Sequence, residues 1–493
     1  MRTPFASSVR QALPVVLPFA GLMVWLTWHV RDNGFFWDSI LLASKYGQWY
    51  YQTRFTTLYV PEQMAGYPPL FGMYLAAGWH LFGKSVAVSH FLMLPFLLGI
   101  VWQVYLLTRR FLPSSWVLLG MLLIFLDPTV LAQSAQVAPD IVLLFFYLVC
   151  LNAILQHRPV LLAVALGFMA IHTPRSQIML VAVFFTHLFL LWQEYGKLSV
   201  PALGKLLLPY VPAGLLLLLW LWLHYRHFGW VGYAPSSDWS AYAGIVSAQE
   251  FARNLFLINW RLIDFGRVGL WLTGLILLWR IRNEFAQPTK ELLILLLVPL
   301  LTLIAVLVWF TNPIGHRYWL VVYVLLGLLA VHLLDQVLTR RVGLTVYLIL
   351  AASLISGHFW VYPERVAKGW DATLAHLPYF ELRRQMIAYL DRQQIPWQEV
   401  GSDFPNLAAP ADTDLTHDFR QFPAKDLTRQ TYIFYSNVFN GFNDYELAEL
   451  RHHWVVIHEV KKGQVYMRLY RKKKALYHHQ QTALSLLKHP VGL

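Results

Sequence analysis

The chain has 493 residues, of which 57% are hydrophobic and only 13% are charged. A soluble protein of this size cannot hide that much apolar surface, so most of it must face lipid or other membrane helices. The net charge of +13 comes from basic residues scattered between apolar runs, with one tight cluster at 471–474, a pattern that fits membrane topology and not a nucleic-acid groove. The single cysteine, Cys150, excludes an intramolecular disulfide.

Arg2 and Arg10 precede the first apolar run, residues 12–30. No small-x-small cleavage site follows it, so it reads as an uncleaved first membrane helix. A spanning helix needs about 20 mostly apolar residues. Roughly eleven runs qualify: 12–30, 86–108, 115–131, 139–156, 160–171, 177–193, 206–224, 262–279, 292–310, 319–338 and 342–361.

Arg109, Arg110, Arg158, Lys197, Lys205, Arg280, Arg282, Lys290, Arg340 and Arg341 fall on the same side as the N-terminus. The positive-inside rule makes that side the cytoplasm. An odd number of crossings places the first loop, 31–85, and everything after Tyr362 outside. Lys45, Arg54, Arg175, Arg253, Arg261, Arg267 and Arg317 then lie on the outer side, as loop charges or as groups facing an anion.

Repeats and inverted pairs of interrupted helices are not evident. The composition shifts after Pro363. An amphipathic helix at 379–393, a strand at 432–435, a helix at 444–453 and a hairpin from W-V-V-I-H-E-V and Q-V-Y-M-R-L-Y form a small α/β domain over 362–474. A basic tail, 475–493, follows it. The remainder, 1–361, is the transmembrane domain.

The first loop carries the candidate chemistry. Asp38 sits where the chain leaves the bilayer, flanked by Phe35, Phe36 and Trp37, which favour the interface. A carboxylate that close to hydrocarbon is a functional candidate, with an ordinary solvated acid as the alternative. Asp140 follows Pro139 at a helix start, where a carboxylate also serves as a cap. Tyr67-Pro68-Pro69 shapes an extended lead into the next helix.

The first helix, F-F-W-D-S-I, and G-Y-P-P-L-F-G-M-Y-L-A-A-G-W-H-L-F-G resemble the start of the GT-C glycosyltransferases. The similarity is to the branch of the protein O-mannosyltransferases (glycosyltransferase family 39) and the aminoarabinose transferases. A-P-D-I-V-L-L-F-F-Y-L at 138–148, T-P-R at 173–175 and H-R-Y-W-L-V-V-Y-V-L-L-G-L-L-A at 316–330 extend it. By motif it covers the opening 160 residues, and by architecture about the first 340. The chain departs from the family in Ser39, where a second acid is common, and in Tyr67, where a cation or imidazole is common.

The resemblance implies a GT-C fold and transfer of a sugar from a polyprenyl-phosphate carrier to an acceptor hydroxyl, on a lipid, glycan or protein, with inversion. It makes Asp38 the general base and gives Asp140 and Tyr67 roles in positioning the acceptor or the first loop. Arg175, His316 and Arg317 stand at outer helix ends as candidates to receive the departing phosphate. A divalent metal on Asp38 and Glu62 is an option, whereas His224 and His227 lack a partner acid.

The expected location is a bacterial cytoplasmic membrane, in contact with its lipids, with the C-terminal domain outside. A lipid or sugar transporter or flippase, and a non-catalytic scaffold of an envelope complex, are the rival functions.

Overall fold

The computed structural model describes the chain apart from residues 1–3, 197–198, 238–239, 241–243, 312–313, 365, 367 and 474–493. Lys197 and the expected basic tail lie outside the described residues. Two compact units result. The first comprises residues 1–361 together with Gly369–Ala375 and Asp412–Thr416, and the second takes Tyr362–Lys368, His376–Ala411 and the chain from His417 onward. The sequence boundary at 361 is therefore crossed twice by short segments that return to the first unit.

Every apolar run falls mainly in helix. In chain order the first unit contains α1 (Pro4–Val30), α2 (Tyr46–Thr53), α3 (Leu70–Phe82), α4 (Val86–Phe111), α5 (Ser114–Phe125), α6 (Pro128–Ser134), α7 (Pro139–Leu155) and α8 (Pro159–Ala170). It continues with α9 (Pro174–Tyr195), α10 (Val200–Leu207), α11 (Val211–Phe228), α12 (Ala248–Ile263), α13 (Val268–Arg280), α14 (Gln287–Leu307), α15 (Leu320–Val337) and α16 (Arg340–Gly357).

Among the described residues seven helical stretches are long and apolar enough to cross a membrane, so the chain is a multi-pass membrane protein. Two bent pairs raise the number to nine: α5 with α6, at 70°, and α12 with α13, at 88°. Of the eleven expected spans, the helices α7, of 17 residues, and α8, of 12, fall short of the length that crosses a membrane. Prolines at 128, 139 and 159 reset the helix, since each lacks an amide hydrogen and fits the first turn. Interrupted helices, which the sequence did not reveal, are thus present. The run expected at 262–279 is broken at Asp264–Arg267, where Phe265 and Gly266 both have positive φ.

α15 is the central helix. Its span is 83% buried, against 22% for the stretch Val200–Phe228, so apolar residues on all its faces meet protein where the other helix shows lipid-facing leucines. Arg317 sits in a short 3-10 turn, His316–Trp319, at its head.

The first loop is itself mostly helical. A π-helical turn, Ile40–Lys45, runs into α2, and α2 crosses α3 at two glycines. A Cβ on Gly72 would lie 2.7 Å from the Cβ of Tyr46, and one on Gly47 would lie 2.8 Å from the Trp79 ring. The hydroxyl of Tyr46 donates to the Met64 carbonyl (2.7 Å) and accepts from the Tyr67 amide (3.3 Å), which ties the proline turn to this pair.

The second unit holds α17 (Pro378–Arg392), a helix at Asp444–His453 and a four-stranded sheet. Strands β1 (Val400–Gly401), β2 (Tyr432–Ser436), β3 (Trp454–Lys462) and β4 (Val465–Lys472) lie in the order β1-β2-β4-β3. β3 and β4 are the expected hairpin, closed by Gly463 and Gln464 with Gly463 at φ 58°, so Lys461 and Lys462 belong to the strand and not the turn. β1, parallel to β2, is too short to show a strand pattern in the sequence.

Candidate active site

Four of the charged residues marked in the sequence meet at one place in the first unit. Asp38 stands just before the π-helical turn, and its carbonyl accepts from the Leu41 and Leu42 amides at 3.1 and 2.9 Å. Trp37, before it, is held at φ 56°, a conformation that costs a bulky residue on the order of 1–3 kcal/mol. Asp140 is the second residue of α7 and Arg175 the second of α9, each placed by the proline before it. In α9, Thr173 and Ser176 close a capping box that fixes the helix start.

Arg317 joins these elements. Its guanidinium donates to Asp38, and its Nε lies 3.5 Å from Asp140 Oδ2. Arg175 donates to Asp140 and stacks on the Tyr318 ring, 3.6 Å from its centroid. The N-cap position of α7 is Ala138, with no side-chain bond, so the Asp140 carboxylate serves two arginines instead of capping its own helix. Arg175 lies in the first turn of α9 and Arg317 just ahead of α15, at the ends where the helix dipole disfavours cations. Paired carboxylates offset that cost.

A third acid completes the cluster, and sequence reasoning missed it. Asp371 lies in a short 3-10 turn, Trp370–Ala372, within the segment Gly369–Ala375 that returns to this unit, and it accepts from Arg317. Its carbonyl accepts from Gln133 Nε2 at 2.9 Å, and the Ala372 carbonyl accepts from Thr129 Oγ1 at 3.2 Å. α6 therefore cradles the turn. G-W-D-A-T carries no motif; only the tertiary fold identifies Asp371.

Behind this cradle lies a second ion pair. Arg267 donates to both Asp127 oxygens, at 2.6 and 2.8 Å, over the face of Tyr323. Asp127 caps α6 through the Thr129 and Val130 amides. The pair links the breaks of the two bent helices, which fixes α6 and, through it, Asp371.

The cluster contains three carboxylates and two guanidiniums, so it carries one negative charge in excess. Openness differs within it: 23% of the Asp38 side chain is accessible, against 9% for Asp140 and 6% for Asp371. Tyr67 stands alongside, its hydroxyl 3.5 Å from that of Tyr233. Burial raises its phenol well above the ordinary value, Tyr233 and Asp38 act in the same direction, and Arg175 opposes them.

His316 does not join the cluster. It is buried, with Nε2 2.9 Å from Asp264 Oδ2, and it abuts Gly369. Consecutive residues of a tight turn point to different sides, so Arg317 reaches the acids while His316 faces the helix break. Lys45 pairs with Asp412 at 3.5 Å, and Arg54 ends α2 in the left-handed region, exposed.

Glu62 is exposed in a separate 3-10 turn, and among the described residues no group of three His, Cys, Asp or Glu side chains is arranged to hold a metal ion. Asp38 is engaged by Arg317. His224 bonds the Trp230 carbonyl and His227 stacks on Tyr59 at 3.8 Å.

No known family profile and no curated protein matches the chain. Among solved structures, ArnT from Cupriavidus metallidurans bound to undecaprenyl phosphate aligns over 93% of this chain and 98% of its own, at 13% identity and a TM-score of 0.49. The apo state of the same protein aligns over the same shares at 14% identity and a TM-score of 0.49.

Proposed function

We propose that the chain is a membrane glycosyltransferase of the GT-C type that moves a sugar from a polyprenyl-phosphate carrier to an acceptor hydroxyl. The observation that carries this reading is the Asp38 carboxylate, fixed by Arg317 yet the most open acid of the cluster. Displacement at the anomeric carbon needs a base beside the incoming alcohol, and a positioned, accessible carboxylate supplies one.

In the step itself the acceptor oxygen bonds to the anomeric carbon and its proton passes to Asp38. The bond from that carbon to the phosphate oxygen breaks, and the carrier phosphate leaves with the electron pair. Attack opposite the leaving group inverts the sugar. The excess carboxylate of the cluster leaves one acid able to take the proton. Arg175, the more open of the two arginines, is placed to donate to the leaving phosphate by exchanging its contact with Asp140. Asp140, Asp371 and Tyr67 position the reacting groups.

The reaction is assigned to the outer face of a bacterial cytoplasmic membrane. The positive-inside pattern of the sequence supports that side for Asp38 and the second unit.

Asp38→Asn tests the reading directly. Transfer from polyprenyl-phosphate-linked sugars in membranes should fall by about 10²-fold or more. Unchanged transfer would remove Asp38 as the base. Profiling which lipid-linked sugar accumulates in cells lacking the chain identifies the donor.

A further inference from the structure

A second feature lies at the other end of the helices that carry Asp140 and Arg175. Two cavities open there. One, of about 800 Å³, runs along α8 against α10 and α11, lined by Val164, Gly167, Phe168, Leu208 and Leu216 among other apolar groups, with Lys205 as its charged member. The other, of about 590 Å³, lies among the ends of α7 and α9 and the starts of α8 and α10, and is lined by His157, Arg158, His187, Tyr195 and Lys205. Pro159, Lys205 and Pro209 line both, so the cavities adjoin.

The basic cavity is remote from the candidate active site, and the apolar one follows α8 from Pro159 at that same end to Ile171. Ala153, on the wall of the basic cavity, is about 20 Å along α7 from Asp140. The prolines at 209 and 212, on the wall of the apolar cavity, mark where the chain passes from α10 through a 3-10 turn into α11. Arg158, Lys205 and His157 are exposed.

We propose that this site binds one anionic phospholipid, with its phosphate in the basic cavity and an acyl chain along the apolar groove. Each part of such a lipid has a complementary surface: two fixed cations for the headgroup and a nearly uncharged wall for hydrocarbon. Position points to the same occupant: the basic cavity lies at the ends of α7 and α9 opposite Asp140 and Arg175, so a phosphate bound there is not the carrier phosphate at the candidate active site. Arg158 and Lys205 are among the cations assigned to the cytoplasmic side, so the lipid is one of the inner leaflet.

Native mass spectrometry of the full detergent-solubilised protein tests this, with phosphatidylglycerol or phosphatidylcholine added. One phosphatidylglycerol should be retained at least fivefold more than phosphatidylcholine. Retention should fall to the phosphatidylcholine level both in the double variant Arg158→Gln, Lys205→Gln and in Val164→Trp, which fills the groove and keeps both charges. The variant Arg280→Gln, Arg282→Gln, with cations of the same membrane side but outside the cavities, should retain the lipid like the wild type. Equal retention of the two lipids, or retention unchanged in the double variant or in Val164→Trp, would overturn the proposal. Displacement by millimolar inorganic phosphate would assign the pocket to free phosphate, displacement by equimolar polyprenyl phosphate would assign it to the carrier, and either result would equally reject the phospholipid.

Discussion

Arg317 donates to Asp38 across 279 residues of sequence, and the same guanidinium reaches Asp140 and Asp371. Three acids from the first loop, the head of α7 and the segment beyond the last membrane helix are thereby held by one side chain just ahead of the central helix. The base proposed for sugar transfer owes its place to that contact and to the turn at Trp37.

Replacing Arg317 by lysine keeps the charge but removes the planar fork that can serve several carboxylates at once. Transfer activity should fall by about 10²-fold, with the protein still folded. Asp371→Asn keeps a hydrogen-bonding group and should cost about tenfold, less than Asp38→Asn, because it acts through Arg317. Initial rates in membranes for the three variants, side by side, provide the check; a loss in Asp371→Asn equal to that in Asp38→Asn would give Asp371 a direct part.

The Arg267–Asp127 pair is closed to solvent, with side-chain accessibilities of 0% and 3%. Arg267→Met should destabilise the first unit by about 3–5 kcal/mol, since it leaves a buried carboxylate unpaired. Adding Asp127→Asn retains a cap for α6 and removes the orphan charge, so the double variant should be more stable than Arg267→Met alone. Thermal unfolding in one detergent compares them.

Gly72 allows α3 to lie against Tyr46 of α2, where a Cβ would approach to 2.7 Å. Gly72→Val should cost about 1–3 kcal/mol through overpacking and loosen the first loop around Asp38. Limited proteolysis should then cut within residues 54–69 faster than in the wild type, and transfer should drop with it.

Glu364 in the second unit supplies a pH dependence. Burial raises its carboxyl, but bonds from Tyr466 and Arg451 outweigh that and hold it below the ordinary 4.5. A carboxyl depressed on folding contributes stability that is fully present above its unfolded value and is lost as pH falls through the folded one. Hydrogen exchange at β4 should therefore accelerate below pH 4.5 more in the wild type than in Glu364→Gln, which lacks the titrating group. Parallel profiles in the two proteins would contradict it.

Several features were legible from the residues alone because they depend on local physics. Apolar run length marked the helices and alternation marked the β3–β4 hairpin, while the F-F-W-D-S-I, A-P-D and T-P-R segments marked Asp38, Asp140 and Arg175 through the family resemblance they carry. Proline at the start of α7 and α9 fixed where Asp140 and Arg175 stand, since its ring suits the first helical turn. Arg317 was legible as a cation at a helix head.

Pairing was not legible, because it depends on contacts between segments far apart in the chain. The grouping of Asp38 with Arg317, the arrival of Asp371 from beyond the last span, and the turning of His316 toward Asp264 all follow from how α6, α15 and Gly369–Ala375 fold together. The breaks at Asp127 and Asp264 were hidden for the same reason: a buried acid inside an apolar run is tolerable only once its partner, here Arg267 or His316, is brought to it by the fold.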